Sequence, residues 1–463
     1  MLEVRSSLLI LAALAIPAPV LAQTPTTAPT PAPTLQALIG DPEDFTLSGS
    51  LRVRYETIDG QARTGFRADD EQLAVRSTLL AEYRNGPVRV GAELYDSRAY
   101  LDRRDSAISA NEVNALELAQ LYVGADLGSA LGAGTATHVQ AGRMMLNLGS
   151  RRLVAADDYR NTTNSYTGLR ADFKAADGTA ATLIYTLPQL RLPDDLASVR
   201  RAKVQWDRES FDLRLWGGLI ARPRTIAGAT AELGYFRLQE RDAPGRPTRN
   251  RDLHTISARV IREPQAGKWD FEAEGIYQLG SVRSGLAAGA PVLDVDAWFV
   301  HADAGFSFAG PAKLRVSVEF DHASGDGPGR RYGRFDTLFG MRRADLAPAG
   351  IYNAVGRANI STPGLRVEAA PGKRFDAFAV YRAMWLADRH DAFSTTGVRD
   401  PSGHSGRFAG HQIEARARYW LVPNLLRAEI DALWLARGRF LKDAPNARNE
   451  DTKYLATGVT ATF

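Results

Sequence analysis

Lys453-Tyr-Leu-Ala-Thr-Gly-Val-Thr-Ala-Thr-Phe463 ends the chain as an unbroken alternation. Successive side chains of a strand point to opposite sides, so Leu455, Thr457, Val459, Ala461 and Phe463 share one face and Tyr454, Ala456, Gly458, Thr460 and Thr462 the other. A last strand with an aromatic carboxy terminus suits a soluble sheet, and it also suits the signal read by outer-membrane assembly machinery. The amino terminus separates these readings. Met1 to Ala22 carries Arg5, an apolar run from Leu8 to Ile16 and then Val20-Leu21-Ala22, the pattern of a secretory signal peptide. That run is much shorter than the roughly 20 residues of a membrane helix, and Pro17 and Pro19 follow it.

Residues 1–22 are therefore expected to be a signal peptide, residues 23–44 a periplasmic linker, and residues 45–463 one outer-membrane β-barrel. The Pro, Thr and Ala tract from Thr24 to Pro33 stays extended and buries nothing. No later stretch is apolar enough for a membrane helix, and cysteine is absent, which excludes disulfides and thiolate metal sites. Only seven of the 57 basic residues are lysine. Arginine binds carboxylate or phosphate through a planar fork that lysine lacks, although a codon bias gives the same composition.

The alternation of the last strand recurs from Phe45 onward. Phe45, Leu47, Leu51, Val53 and Tyr55 oppose Thr46, Ser48, Ser50, Arg52, Arg54 and Glu56; Trp269, Phe271, Ala273 and Tyr277 oppose Asp270, Glu272, Glu274 and Gln278; Leu314, Val316, Val318 and Phe320 oppose Arg315, Ser317, Glu319 and Asp321. Runs of about 10 to 13 residues match a tilted strand that crosses a bilayer. Tight turns such as Asn85-Gly86-Pro87 and Val422-Pro423-Asn424 alternate with long polar connections such as 99–114, 149–165, 322–359 and 387–409, the arrangement of transmembrane barrels with short periplasmic turns and long extracellular loops. Tyr55, Tyr83, Tyr95, Trp385, Trp420 and Trp434 are expected in interfacial girdles. Ser198 to Arg208 is too charged for a lipid face and is assigned to a loop, which leaves about 18 strands, an even number as such barrels require. The predicted fold is an all-β, antiparallel, up-and-down barrel.

A barrel of this size encloses an aqueous lumen in which charged rings select ions. The predicted pore lining comprises Arg52, Arg54, Arg76, Arg89, Arg143, Arg170, Arg214, Arg315, Arg366, Arg416 and Arg418, interleaved with Glu82, Glu93, Asp172 and Glu414. Such a set is either a ladder of weak anion sites or a set of cross-strand pairs that fix register.

Ala141-Gly142-Arg143-Met144-Met145-Leu146-Asn147-Leu148-Gly149-Ser150-Arg151-Arg152, followed by Asp157-Asp158-Tyr159-Arg160-Asn161-Thr162, resembles the alginate-export family of outer-membrane barrels. Phe335-Asp336-Thr337-Leu338-Phe339-Gly340, Gly350-Ile351-Tyr352-Asn353 and Gly410-His411-Gln412-Ile413-Glu414 are similar in the same order. The resemblance implies an eighteen-stranded barrel whose electropositive constriction passes an acidic polysaccharide. It also implies a Gly-Arg in a lumen strand, followed by a polar loop that folds inward. Asp157, Asp158 and Arg160 in that loop, with Asp326, Arg330 and Arg334 in the longest one, are the expected gating residues. Met145 and Ala119-Gln120 stand where the family pattern carries further charges.

The expected function is passive diffusion of an anionic polysaccharide or sugar acid, with uptake of small organic acids as the alternative. Expected partners are outer-membrane lipid and lipopolysaccharide, the assembly machinery, an anionic saccharide, and periplasmic export or uptake proteins. No cofactor is implied. Gly403-His404-Ser405-Gly406 lacks the spacing of a nucleophile elbow, the seven histidines show no metal-ligand spacing, and no basic stretch has the interleaved aromatics of a nucleic-acid groove.

Overall fold

In lipid, strands can satisfy every backbone donor and acceptor only by closing on themselves. The computed structural model describes residues 34–341 and 345–463 and has this closed form. The strands are β1 (Phe45–Asp59), β2 (Asp70–Asn85), β3 (Val88–Tyr100), β4 (Asn114–Gly128), β5 (Ala136–Met144), β6 (Tyr166–Lys174), β7 (Ala180–Pro188), β8 (Leu213–Ile226), β9 (Ala229–Glu240), β10 (Asp252–Arg262), β11 (Lys268–Arg283), β12 (Val292–Ser307), β13 (Arg315–Ala323), β14 (Arg331–Tyr332), β15 (Ile360–Ala369), β16 (Phe375–Trp385), β17 (Phe408–Val422), β18 (Leu426–Arg437) and β19 (Thr452–Thr462). β14 is a two-residue strand inside a loop, and the other eighteen form the wall. Neighbours pair antiparallel, and β1 meets β19 from Ser50↔Thr462 to Asp59↔Lys453, so the sheet has no free edge.

The signal peptide expected at 1–22 lies outside the described residues. Of the expected linker, only Thr34 to Asp44 is described. It holds α1 (Leu35–Leu38), whose Gln36 side chain donates to Phe45 O at 2.8 Å and accepts from Leu47 N at 2.7 Å, tying it to the start of β1. At the other end, Gly49 N donates to Phe463 O at 2.7 Å and Phe463 N to Gly49 O at 3.0 Å. A Cβ on Gly49 would lie 2.8 Å from the Phe463 ring, so a glycine is required where the terminal aromatic crosses β1.

Alternation places lipid-facing side chains outward, where Leu169, Leu183 and Val318 are 59%, 63% and 59% exposed. The opposite face is not uniformly polar. Near the periplasmic turns it carries Glu232, Asp270, Glu272, Asp303 and Arg315; toward the extracellular ends it carries Phe236, Leu238, Ile276, Val295 and Phe299. These inward apolar side chains belong to one buried cluster with Leu146, Leu148, Leu153, Val154, Leu346, Ile351, Tyr352, Val355, Leu386 and Phe393 from the long loops. The extracellular half of the barrel is thus filled by a hydrophobic core. Two expected girdle residues also face inward: Tyr95 lies beneath the Arg76 guanidinium at 5.7 Å and Trp420 beneath Arg427 at 5.5 Å, which draws both rings to the lumen.

β5, β6 and β7 form a run of three consecutive short strands, each nine residues long. Above them the loop 189–212 continues the wall through α2 (Leu196–Arg200) and two bridges, Ala115↔Val204 and Leu190↔Arg208. Ser198 to Arg208 therefore forms no long strand. Leu183, near the middle of β7, is expected to tolerate arginine poorly: L183R should lose about 2–4 kcal/mol of stability, the cost of a cation near the bilayer midplane. Refolding titrations in lipid vesicles would measure that loss.

Candidate functional site: the loop-filled channel

The apolar residues of the loop 145–165 have no place in water, and the chain turns inward after β5. It meets the loop 324–359 through the parallel bridge Val154↔Phe339, with Ala155 N donating to Phe339 O at 3.1 Å and Phe339 N to Leu153 O at 3.0 Å. A Cβ on Gly340 would overlap Arg152 O, so this crossing requires glycine. The loop expected to be polar is therefore inward as predicted but apolar at its centre, because two loops must form a core with each other.

Arginines hold this pair of loops in place. From one wall, Arg52 donates to Asp158 O at 2.9 Å and Arg160 O at 2.8 Å, Arg54 to Tyr159 O at 2.6 Å, and Arg76 to Arg160 O at 3.2 Å. From within the loop, Arg152 reaches the facing wall, binding Glu272, Glu274 and both carboxylate oxygens of Asp345. Asp345 also accepts from Arg357 at 2.6 Å. Burial alone would raise the Asp345 pKa, but Arg152 and Arg357 hold it well below the usual carboxylate range. Arg382 on β16 adds bonds to Glu319, Asp321 and Asp345 O.

Two polar cavities remain on either side of this junction. The extracellular one, about 420 Å³, is lined by Asn111, Glu112, Asp157, Arg160, Asn164, Arg191 and Arg246 with Leu338 and Phe339. The periplasmic one, about 260 Å³, is lined by Asp270, Glu272, Asp303, Glu319 and Glu368 with Arg152, Arg315 and Arg366.

Residues 44–454 match the alginate export family. The chain belongs to that family. Its fold is similar to that of a BenF-like porin from Pseudomonas fluorescens Pf-5, with 13% identity, TM-score 0.58, and 91% of this chain and 99% of that one covered. It is also similar to OpdK from Pseudomonas aeruginosa, with 14% identity, TM-score 0.57 and the same coverage. OpdO from the same organism gives 15% identity and TM-score 0.56, over 91% of this chain and 97% of that one. No curated protein matches the sequence. This member of the alginate export family is accordingly a channel of the Gram-negative outer membrane, built on a closed eighteen-stranded barrel.

Within this alginate export barrel, most of the expected pore residues share the inward face. Arg89 contacts His138, Arg170 binds Asp172 at 2.7 Å, Glu82 accepts from Tyr122 at 2.5 Å, and Glu93 accepts from Gln120 at 2.6 Å. Arg315 binds Asp270, Asp303 and Glu368, Arg366 binds Glu368 at 2.8 Å, Arg418 binds Asp376 at 2.8 Å, and Arg416 lies 3.8 Å from the same carboxylate. Glu414 is buried beside them. Two expectations are corrected. Arg143 pairs in register with Leu121 and Thr167, on the face opposite buried Met144, and is clamped by Glu117, Glu209 and Leu118 O within the wall. Arg214 shares its face with Trp216 and sits across from Gln239, opposite the buried Leu213 and Leu215, so it points away from the lumen.

The expected gating residues divide. Asp157 and Arg160 line the extracellular cavity, whereas Asp158 pairs with Arg151 at 2.7 Å. Arg334 binds Asp391 at 2.6 Å, Asp326 accepts from Gly333 N, and Arg330 is exposed. Arg152, Arg191, Arg259, Arg357, Arg382 and Asp345 were missed, and most of them sit in loops where alternation gives no facing.

Removing Arg152 would leave Glu272, Glu274 and Asp345 buried around a missing cation, a change that costs about 3–5 kcal/mol for a buried pair. R152A is expected to loosen both loops, giving larger and noisier single-channel conductance and faster proteolysis of 324–359. A second group reports pH. Burial pushes the Glu112 carboxyl up to about 7 despite hydrogen bonds from Ser109 N and Oγ at 2.9 Å. The folded state then holds a proton that the unfolded state has released, so stability present below about pH 4.5 is lost as pH rises to about 7, amounting to about 3 kcal/mol. E112Q should match the wild type at pH 5 in thermal unfolding and exceed it at pH 8.

Proposed function

We propose that the channel conducts carboxylate-bearing solutes of the sugar-acid and small organic-acid class by passive diffusion. The observation that carries this reading is the polarisation of the lumen. On the wall formed by β18, β19, β1, β2 and β3, Arg427, Arg52, Arg76 and Arg89 have no carboxylate within ion-pair distance among the described residues; their partners are loop carbonyls, the Asn161 amide, His138 and aromatic rings. On the facing wall, Arg259 binds Glu272, Arg315 binds three carboxylates, and Arg366 and Arg382 bind Glu319. Guanidinium groups that are not held in ion pairs can take up a passing anion, and a series of such weak sites lets it leave again.

The junction of loops 145–165 and 324–359 favours a solute of one or two rings over a polymer. One structural neighbour, OpdK, has been solved with vanillate, itself a small carboxylate. The polymer reading is favoured by the family match over residues 44–454, and it requires the two loops to part. Neither reading sets a direction of transport, which belongs to periplasmic partners.

Planar-bilayer recordings test both. Anion selectivity in a salt gradient, with block by a monomeric uronate at concentrations similar to those of its polymer, is the expected result. Block by polyuronate at far lower concentration would favour the polymer, and cation selectivity would overturn anion conduction.

A further inference from the structure

Guanidinium groups repel one another, and a protein normally separates two buried ones with a carboxylate. The extracellular cavity departs from this. Arg160 donates to Asn111 Oδ1 at 3.2 Å and Asn164 Oδ1 at 2.6 Å, and Arg191 donates to Asn111 Oδ1 at 2.9 Å and to the same Asn164 oxygen. The two cations therefore share two neutral amide oxygens. Among the described residues the one ion pair either makes is marginal, Arg160 Nε to Asp157 at 4.0 Å, and that Nε is buried with no hydrogen-bond partner. Burial first, and then the charge of Arg160, lower the Arg191 pKa to about 9. Arg246 lines the same cavity from the loop 241–251, and Leu338 and Phe339 supply an apolar side.

The lining also carries Glu112, Asp157 and Asp194, but none of these carboxyls bridges Arg160 and Arg191. Three arginines beside an apolar wall, in a cavity of about 420 Å³ among the extracellular loops, are suited to an anion that carries a ring. We propose that Arg160, Arg191 and Arg246 form an external binding site for the carboxylate of a cyclic organic acid, which loads the solute before it crosses the loop junction. The carboxylate supplies the countercharge that Asn111 and Asn164 cannot, and the ring packs on Leu338 and Phe339. The proposal rests on the anion-channel reading and places the first contact of the solute on the extracellular side, above the barrel arginines.

Equilibrium titration of the detergent-solubilised full chain tests it, with D-galacturonate, benzoate and neutral D-galactose as probes. Binding of either acid in preference to galactose, weakened at least about tenfold in R191Q, is the expected result. Galacturonate alone would identify a sugar-acid site and benzoate alone an aromatic-acid site, each supporting the proposal. R246Q provides a second variant, because no hydrogen bond or ion pair of its side chain ties the loops together among the described residues; it too should weaken binding. Unchanged affinity in both variants, or equal binding of galactose, would overturn the site. Ion selectivity measured on the same proteins separates this from the channel reading. R191Q should lose acid binding yet stay anion-selective, whereas a cation-selective wild type that binds acid through Arg191 would leave the site standing and remove the channel reading.

Discussion

Every other feature depends on the hydrogen bonds between β1 and β19. With that seam closed, the sheet presents no unpaired edge strand to lipid, and the interior becomes a compartment whose contents are decided by the inward side chains and the loops that enter it. A wall of eighteen strands encloses more space than its side chains fill. This chain fills the extracellular half with its own loops and leaves the periplasmic half polar.

The division has an electrostatic counterpart. Charges near the loop junction are buried, and burying an ion costs several kcal/mol unless it is paired and hydrogen-bonded. Arg152, Arg357, Arg382, Asp345, Glu272 and Glu274 meet this requirement collectively, each satisfying part of its neighbour's need. Such networks contribute geometry more than stability, and what they fix here is the position of two loops relative to the wall. The arginines of β1 and β2 complete the arrangement from the other side.

The strand pattern was legible because lipid enforces a strict period of two on the outward face, and the inward positions of Arg52, Arg54, Arg76, Arg315 and Arg418 followed from it. Alternation failed where the backbone stops being regular. Arg143 follows Gly142, whose φ of +119° and close approach to Leu121 O mark a strand about to leave the sheet, and its side chain goes into the wall. Arg214 sits in Leu213-Arg214-Leu215-Trp216, where both faces are largely apolar, so polarity misidentified the lumen. Apolar residues on both faces, as in Ala297-Trp298-Phe299-Val300, were the available sign that loops pack inside, because water would leave Phe299 unburied. The pairing of Arg160 with Arg191 was not legible, since it joins two loops through Asn111 and Asn164 with no periodicity to relate them.

Arg52, Arg54 and Arg76 grip the loop 145–165 by the carbonyls of Asp158, Tyr159 and Arg160. Every residue has a carbonyl, so these wall bonds are indifferent to the side chains at 158 and 160, whereas the Arg152 side chain and the Tyr159 ring beneath Arg54 are fixed requirements. Substitution at 158 and 160 can rewrite what the loop displays to a passing solute without breaking the carbonyl anchorage. At those positions the barrel keeps display and placement under separate control, which lets one scaffold acquire new substrates by small steps.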